Sequence, residues 1–247
     1  SFGCFAVKLL KNYTLKYDIV RIIMKPQIIF ENESILVVDK PSGLVVHPFD
    51  HSDEYTLLDF LKEHIPEFFS IDNSITLQDG RTIALGGIVH KLDRDTSGVM
   101  VIAKNQKTFD ELKEQFINHK TKKTYVAIIE GLIKETSFTI DAPLGRNKKE
   151  YRQSTIASNP RGEFREAITD VEVTEVRTDT TLVTLYPKTG RTHQLRAHLS
   201  SIAHPIVGDK AYGSTKESKR IMLHAKELTF TLEGEEYTFQ SEVPKDF

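Results

Sequence analysis

The sequence predicts a single α+β domain, a mostly antiparallel mixed sheet flanked by helices and loops. Three observations predict it. Many short segments rich in Val, Thr, Ile and aromatic residues are joined by hairpin-like turns, few helical segments intervene, and no repeat, low-complexity tract or linker divides the 247 residues. The domain is expected over residues 28–247, with residues 1–27 as an N-terminal extension that is not a domain.

In that extension Cys4-Phe-Ala-Val7 and Leu9-Leu10 are apolar, but Lys8 and Lys11 interrupt them, so no secretory signal is expected. No apolar run approaches the roughly 20 residues needed to span a bilayer, so a soluble protein with no membrane partner is expected. Cys4 is the only cysteine, which excludes an internal disulfide framework and a cysteine-rich metal site, and fits a reducing, cytoplasmic setting. The formal net charge of -2 argues against gripping nucleic acid by bulk positive charge while allowing a local basic cleft.

The first strong signal is Ile28 to Asp39, two apolar stretches around Glu31-Asn-Glu33, the pattern of a hairpin or of two short strands. Lys40-Pro-Ser-Gly43 breaks the chain. Leu57, Leu58, Leu61 and Ile65 then recur at helical spacing after a possible Asp53 cap. Phe68 to Gly87 has the mixed content of a long connection, with a short hairpin at Ile75 to Ile83. Val99-Met-Val-Ile-Ala103 reads as a buried strand, with Thr96-Ser-Gly98 supplying the turn that leads into it. A second amphipathic helix carries Phe109, Leu112 and Phe116. Further strands are expected at Lys123 to Glu130, Ile168 to Val176, Thr181 to Tyr186, Leu228 to Leu232 and Glu236 to Phe239. Thr192 is placed to cap a helix whose buried stripe is Leu195, Leu199 and Ile202.

Four clusters carry possible chemistry. In Gly87 to Gly98, Asp93 lies in a turn-like segment between apolar runs, where a rigid sheet would hold a reacting group, although an Asp beside Thr, Ser and Gly is also an ordinary turn former. Lys188 to His198 is the densest: Arg191, His193, Arg196 and His198 surround an expected helix start, favourable for an anion, or else form a solvated face. In Lys122 to Ala127, Tyr125 offers a flat face for stacking a base and a phenol for hydrogen bonding, or is plain core. The last is Asp39 to Pro48. An ionised Asp in a partly dry pocket calls for a guanidinium partner, and Arg191 is a suitable one, expected within roughly 4 Å.

The histidines are poor metal candidates. His193 and His198 lie five apart rather than four, and there is no His-Glu-x-x-His signature. A phosphate loop, a dinucleotide Gly-x-Gly-x-x-Gly and a Gly-x-Ser-x-Gly elbow are also missing.

In this order, Asp39-Lys-Pro-Ser-Gly43, His90-Lys-Leu-Asp-Arg-Asp-Thr-Ser-Gly98, Lys123-Thr-Tyr125, Thr189-Gly-Arg-Thr-His-Gln194, Pro205-Ile-Val-Gly-Asp209 and Leu223-His-Ala225 strongly resemble the RluA-type RNA pseudouridine synthases. The resemblance runs from about Ile28 to Phe247 and makes residues 28–247 a catalytic domain. It implies isomerisation of uridine to pseudouridine in ribosomal or transfer RNA by a protein taken by default as a monomer. Asp93 stands in the place of the catalytic aspartate, Arg191 in that of its basic partner, and Tyr125 in that of the tyrosine that stacks on the target base and helps remove the C5 proton. The same likeness makes His90, Lys91, Arg94, Thr96, Lys123, Thr192, His193, Gln194 and Arg196 substrate-binding candidates. The chemistry requires no metal or other cofactor. Attack of Asp93 on the sugar and removal of a sugar proton to form a glycal both remain open.

Some positions depart from the family pattern. Lys91 stands where an Arg is usual, in the place thought to fill the gap left by the extruded base, and Gly86-Gly87 replaces the common Arg-Pro-Gly. The stretch before Ile28 is too short for the S4 RNA-binding domain that many relatives carry. Local basic residues are therefore expected to supply RNA contacts: Lys120, Lys122 and Lys123; Arg146, Lys148, Lys149 and Arg152; Lys216, Lys219 and Arg220. Rival readings are an inactive RNA-binding or assembly factor on the same scaffold, and a metal-dependent hydrolase. Joint retention of Asp93, Tyr125 and Arg191 favours the enzyme.

Overall fold

The expected opening hairpin forms: β1 (Gln27–Glu31) pairs antiparallel with β2 (Ile35–Lys40). The Asn32 side-chain oxygen accepts from the Ser34 and Ile35 amides at 2.9 and 2.8 Å, which closes the turn locally. The structure, a computed structural model, describes residues 24–48, 54–77, 79–148, 154–155 and 161–247.

Helix α1 (Leu57–His64) follows, capped by Thr56 in a reciprocal box with Asp59; the expected Asp53 cap lies outside the described residues. A 3-10 segment at Pro66–Ser70 leads to the expected small hairpin of β3 (Ser74–Thr76) and β4 (Thr82–Ala84). Strand β5 (Ser97–Ala103) is buried on both faces along its whole length, which explains its continuous apolar run. The turn before it is made by Arg94 and Asp95, not by Thr96-Ser-Gly98, since Ser97 and Gly98 already belong to the strand. Gly98 has φ +123°, and a Cβ there would lie 2.2 Å from the Ala225 carbonyl oxygen, so only glycine lets the strand start this close to its neighbour. Helix α2 (Gln106–Ile117), capped by Asn105, precedes β6 (Lys122–Glu130).

The second half is dominated by strands. Short β7 (Ser137–Asp141), β8 (Leu144–Arg146), β9 (Ser154–Thr155) and β10 (Arg161–Arg165) were not anticipated; β11 (Ile168–Val176) and β12 (Thr180–Pro187) were. Helix α3 (Gln194–Ser201) begins at His193, which sits in the left-handed region at φ 53° and makes no side-chain cap bond, so Thr192 is not the cap. Strands β13 (Leu223–Leu232) and β14 (Glu235–Gln240) complete the described elements.

Among the described residues nine strands form one mixed sheet in the order β1-β2-β5-β13-β6-β12-β11-β7, with β14 also on β13. Its one parallel pairing among the described residues joins β5 to β13 at Ser97–His224 and Gly98–Ala225. Beyond that short contact β14 becomes the neighbour of β13, from Glu227 onward. One apolar cluster packs α1 on β2 and β5 through Leu57, Leu61, Leu36, Val38 and Met100. A second packs α3 on β6 and β12 through Leu195, Leu199, Ala127, Val183 and Leu185. Tyr125 on β6 packs against both, so it marks the seam between them. Opposite faces of β2 and β5 bury Val37 and Val101 with Phe109 and Leu112 of α2.

Candidate active site

At the seam a pocket of about 580 Å³ opens between the segment before β5, the C-terminal end of α2, the start of β6 and the segment leading into α3. That volume suits a nucleoside-sized ligand. Asp93, Tyr125 and Arg191 all line it.

The Asp93 segment is pinned from below. Lys40, with no exposed surface, donates through its ammonium to the carbonyls of Pro41 at 3.0 Å, Leu44 at 2.8 Å and Arg94 at 2.9 Å. Burial pushes its pKa down to about 7, while the charges of Asp93 and Asp95 oppose the shift. Ser42 donates to the Asp95 carbonyl at 2.7 Å, and the Gly43 amide to that of Arg94 at 2.9 Å. The Asp39-Lys-Pro-Ser-Gly motif therefore acts as a cradle for the turn that carries Asp93. His90 supports the other side: its Nε2 accepts from the Val101 amide at 3.1 Å and its ring stacks on Phe116 at 4.4 Å. Burial, aided by Lys123, pushes the His90 pKa down to about 3, so the ring is neutral.

The Asp93 carboxylate is 23 % exposed and meets two partners, Arg196 Nη1 at 3.5 Å and His193 Nε2 at 3.7 Å. The expected partner was Arg191, and this is a correction: Arg191 donates through Nε to the Glu166 carbonyl at 2.9 Å and makes no ion pair with Asp93. The left-handed turn at His193 starts α3 so that Arg196, inside the helix, faces the carboxylate, whereas Arg191 stays on the segment before it.

Two residues that sequence reasoning left without a role stand behind these partners. Asp209, fully buried, takes Arg196 in a forked pair at 2.6 and 2.9 Å. Burial works against the charge of Arg196, but Asp209, with help from Asp93, holds its pKa above the ordinary value. Tyr212 carries the Arg196 guanidinium over its ring at 4.8 Å and meets His193 Nδ1 through its hydroxyl at 3.0 Å. Burial lowers the His193 pKa against the pull of Asp93, which leaves the ring neutral near pH 7. The presence of Asp209 in a recognisable motif was the only available signal; Tyr212, three residues later, had none.

Tyr125 faces the pocket from β6. Burial first and the Asp93 charge second push its phenol well above the usual range, so it remains protonated. Lys91, Thr96, Lys123, His193, Gln194 and Arg196 also line the pocket. Gln194 spends its amide internally, accepting from Thr189 at 2.7 Å and the Arg191 amide at 3.0 Å and donating to Ile168 and Thr169 at 3.0 Å each. It shapes the wall and has little left for a ligand. Arg94 and Thr192 do not line the pocket, and Arg94 pairs instead with Glu54 at the surface.

The basic runs do not form one rim. Lys120 pairs with Glu114, Lys122 with Glu236 and Lys216 with Asp179, while Arg220 turns inward to Ser97 and the Leu223 carbonyl. Of these runs, among the described residues, Lys123 alone lines the pocket; Lys149 and Arg152 lie outside them. The histidines are dispersed as well: His198 bonds Thr169 and the Ala142 carbonyl, His204 the Glu130 carbonyl, and His224 Ser97 and the Ser241 carbonyl.

Comparison with known proteins places this geometry. The family model for RNA pseudouridylate synthase matches residues 34–201. The chain is 35% identical over 233 residues to YlyB, an uncharacterized RNA pseudouridine synthase of Bacillus subtilis, covering 93% of this chain and 73% of that protein. It is 34% identical to ribosomal large subunit pseudouridine synthase D of Zymomonas mobilis, covering 89% of this chain and 70% of the relative. Among solved structures, human RNA pseudouridylate synthase domain containing 1 superposes with a TM-score of 0.72 at 28% identity, over 89% of this chain and 84% of the other. With its motifs, its sheet and two thirds of its length matched in this way, the chain belongs to the RluA-type RNA pseudouridine synthase family, whose members are isomerases.

Proposed function

We propose that this protein converts specific uridines of large-subunit ribosomal RNA to pseudouridine with Asp93 as the catalytic carboxylate. The observation that carries the reading is a partly desolvated carboxylate held between Arg196 and His193 in a nucleoside-sized pocket that Tyr125 also lines. The RNA class follows the relatives named as large-subunit ribosomal enzymes in Zymomonas mobilis and Pseudomonas aeruginosa. No helix among the described residues is long and apolar enough to cross a membrane, and we place the activity in the cytoplasm with its RNA.

The reaction breaks the bond from C1′ of ribose to N1 of uracil, turns the base within the pocket, and joins C1′ to C5; C5 then loses its proton and N1 gains one. Direct attack on C1′ and removal of a sugar proton both need the Asp93 carboxylate beside the ribose, and the Arg196 guanidinium at 3.5 Å helps to hold it in place. Tyr125 lines the same pocket and is assigned to stack on the base, and its protonated phenol can donate to a uracil oxygen while the detached base turns. Extruding the uridine from its stack costs a few kcal/mol, which contacts to the surrounding RNA offset. Lys91, exposed where it lines the pocket, is assigned to the space that the extruded base vacates.

The test is chemical mapping of pseudouridines in total RNA from cells lacking the gene, before and after treatment with the pure protein. New pseudouridine in large-subunit ribosomal RNA is expected. Modification confined to transfer RNA would overturn the substrate assignment, and none in any RNA would overturn the activity.

A further inference from the structure

Besides Arg196, two further cations line the pocket, Lys123 and Arg191. Lys123 and Tyr125, two apart on β6, project to the same side of the sheet. The Lys123 ammonium makes no hydrogen bond or ion pair with a described residue, although burial lowers its pKa. Neighbouring lysines differ: Lys122 holds Glu236 at 3.2 Å and Lys188 holds Asp170 at 2.8 Å. A half-buried cation without a counter-charge gives up hydration with nothing in return, unless an anion arrives from outside.

Arg191 lines the same pocket. With Nε donating to the Glu166 carbonyl, its terminal nitrogens have no carboxylate in ion-pair range among the described residues. His119, at the end of α2, lies within the field of both: burial first, then Lys123 and Arg191, lower its pKa, and Glu166 alone opposes them. Gly190, next to Arg191 in the chain, lies beside the Lys123 ammonium. A Cβ built there would meet only Lys123 Nζ, at 3.9 Å, so the space beside this backbone is open to a ligand.

We propose that Lys123 and Arg191 form a subsite for one phosphodiester of the target nucleotide, with its base received at Tyr125 and its ribose toward Asp93. The subsite rests on the function proposed above and gives Arg191 a task other than pairing with the aspartate. A planar guanidinium fork and a point-charge ammonium beside one phosphate can neutralise it together. The absent side chain at Gly190 leaves room for its oxygens.

The probe is a ribosomal RNA transcript containing a uridine that the wild-type protein converts. Half-saturating RNA concentration and saturating rate are measured over a range of potassium chloride for wild type, Lys123→Met, Arg191→Met, the double variant, Lys123→Arg and Gly190→Val. Each Met variant is expected to raise the half-saturating concentration about tenfold with little change in saturating rate. The slope of log affinity against log salt should fall by roughly 0.7, the value of one single-stranded phosphate. The double variant should lose no more slope than either single one, because the phosphate is shared. Lys123→Arg should keep the slope, and Gly190→Val should weaken binding with every charge in place. A methylphosphonate next to the target uridine should weaken wild type and leave the double variant unaffected. Thermal unfolding checks each fold; if the Met variants unfold, Gly190→Val and the methylphosphonate decide. Unchanged half-saturation and slope, a loss confined to the saturating rate, or a double variant that loses two phosphates' worth of slope would overturn the subsite while leaving the activity standing. A wild-type protein that forms no pseudouridine would overturn the activity and the subsite together.

Discussion

The forked Arg196–Asp209 pair decides how Asp93 is held, and its energetics can be separated from its chemistry. Arg196→Met strands the fully buried Asp209 carboxylate without its partner, which should cost about 3–5 kcal/mol in denaturant unfolding. Adding Asp209→Leu removes the stranded charge and should return most of that stability while the rate of pseudouridine formation stays low. Recovery of both together would mean that Arg196 serves the fold alone. His90 makes a second prediction. Its folded pKa of about 3 lies below the ordinary histidine value of about 6.5, so between those limits the unfolded chain carries a proton that the folded one lacks. Its contribution to stability is complete above pH 6.5 and declines as pH falls toward 3, with a slope of about 1.4 kcal/mol per pH unit. In His90→Gln that slope should disappear from the acid limb measured by urea unfolding at several pH values; an unchanged limb would contradict a neutral buried ring.

Helix α1 starts at a box in which Thr56 accepts from the Asp59 amide at 3.2 Å and Asp59 accepts from the Thr56 amide at 3.1 Å. Thr56→Ala should lower stability by about 1 kcal/mol without changing catalysis, as read by thermal unfolding and single-turnover rates; a rate loss with unchanged stability would link α1 to the site. At this scale much was legible in advance. Strong alternation or continuous apolar runs marked β2, β5, β11 and β12, because each buries one face or both. The strand β7 escaped because only Ile140 of its five residues is buried, and β8 and β9 are too short for any period to show. The start of α3 escaped for another reason: a cap read from side-chain chemistry points to Thr192, but the chain turns into the helix through a left-handed His193 that no propensity signals. That turn also explains why two arginines five residues apart could be recognised as site residues while the wrong one was matched to Asp93.

Across the molecule, the site lies where two packed halves of one sheet meet, and its groups come from segments far apart in sequence: Lys40 beneath, Asp93 before β5, Tyr125 on β6, Arg196 on α3 and Asp209 beyond it. Motif order reveals such a site, but burial and partner choice appear only once the segments are brought together. The near-neutral total charge is consistent with local cations lining the pocket in place of a broad basic face. The central claim is that Asp93 acts on the ribose of a uridine in RNA. Its most direct test is the single-turnover conversion of the mapped ribosomal transcript by Asp93→Asn, a variant that keeps the shape of the side chain and removes its charge. Pseudouridine should fall below detection while the transcript is still bound and the protein remains folded. Conversion at the wild-type rate would contradict the account.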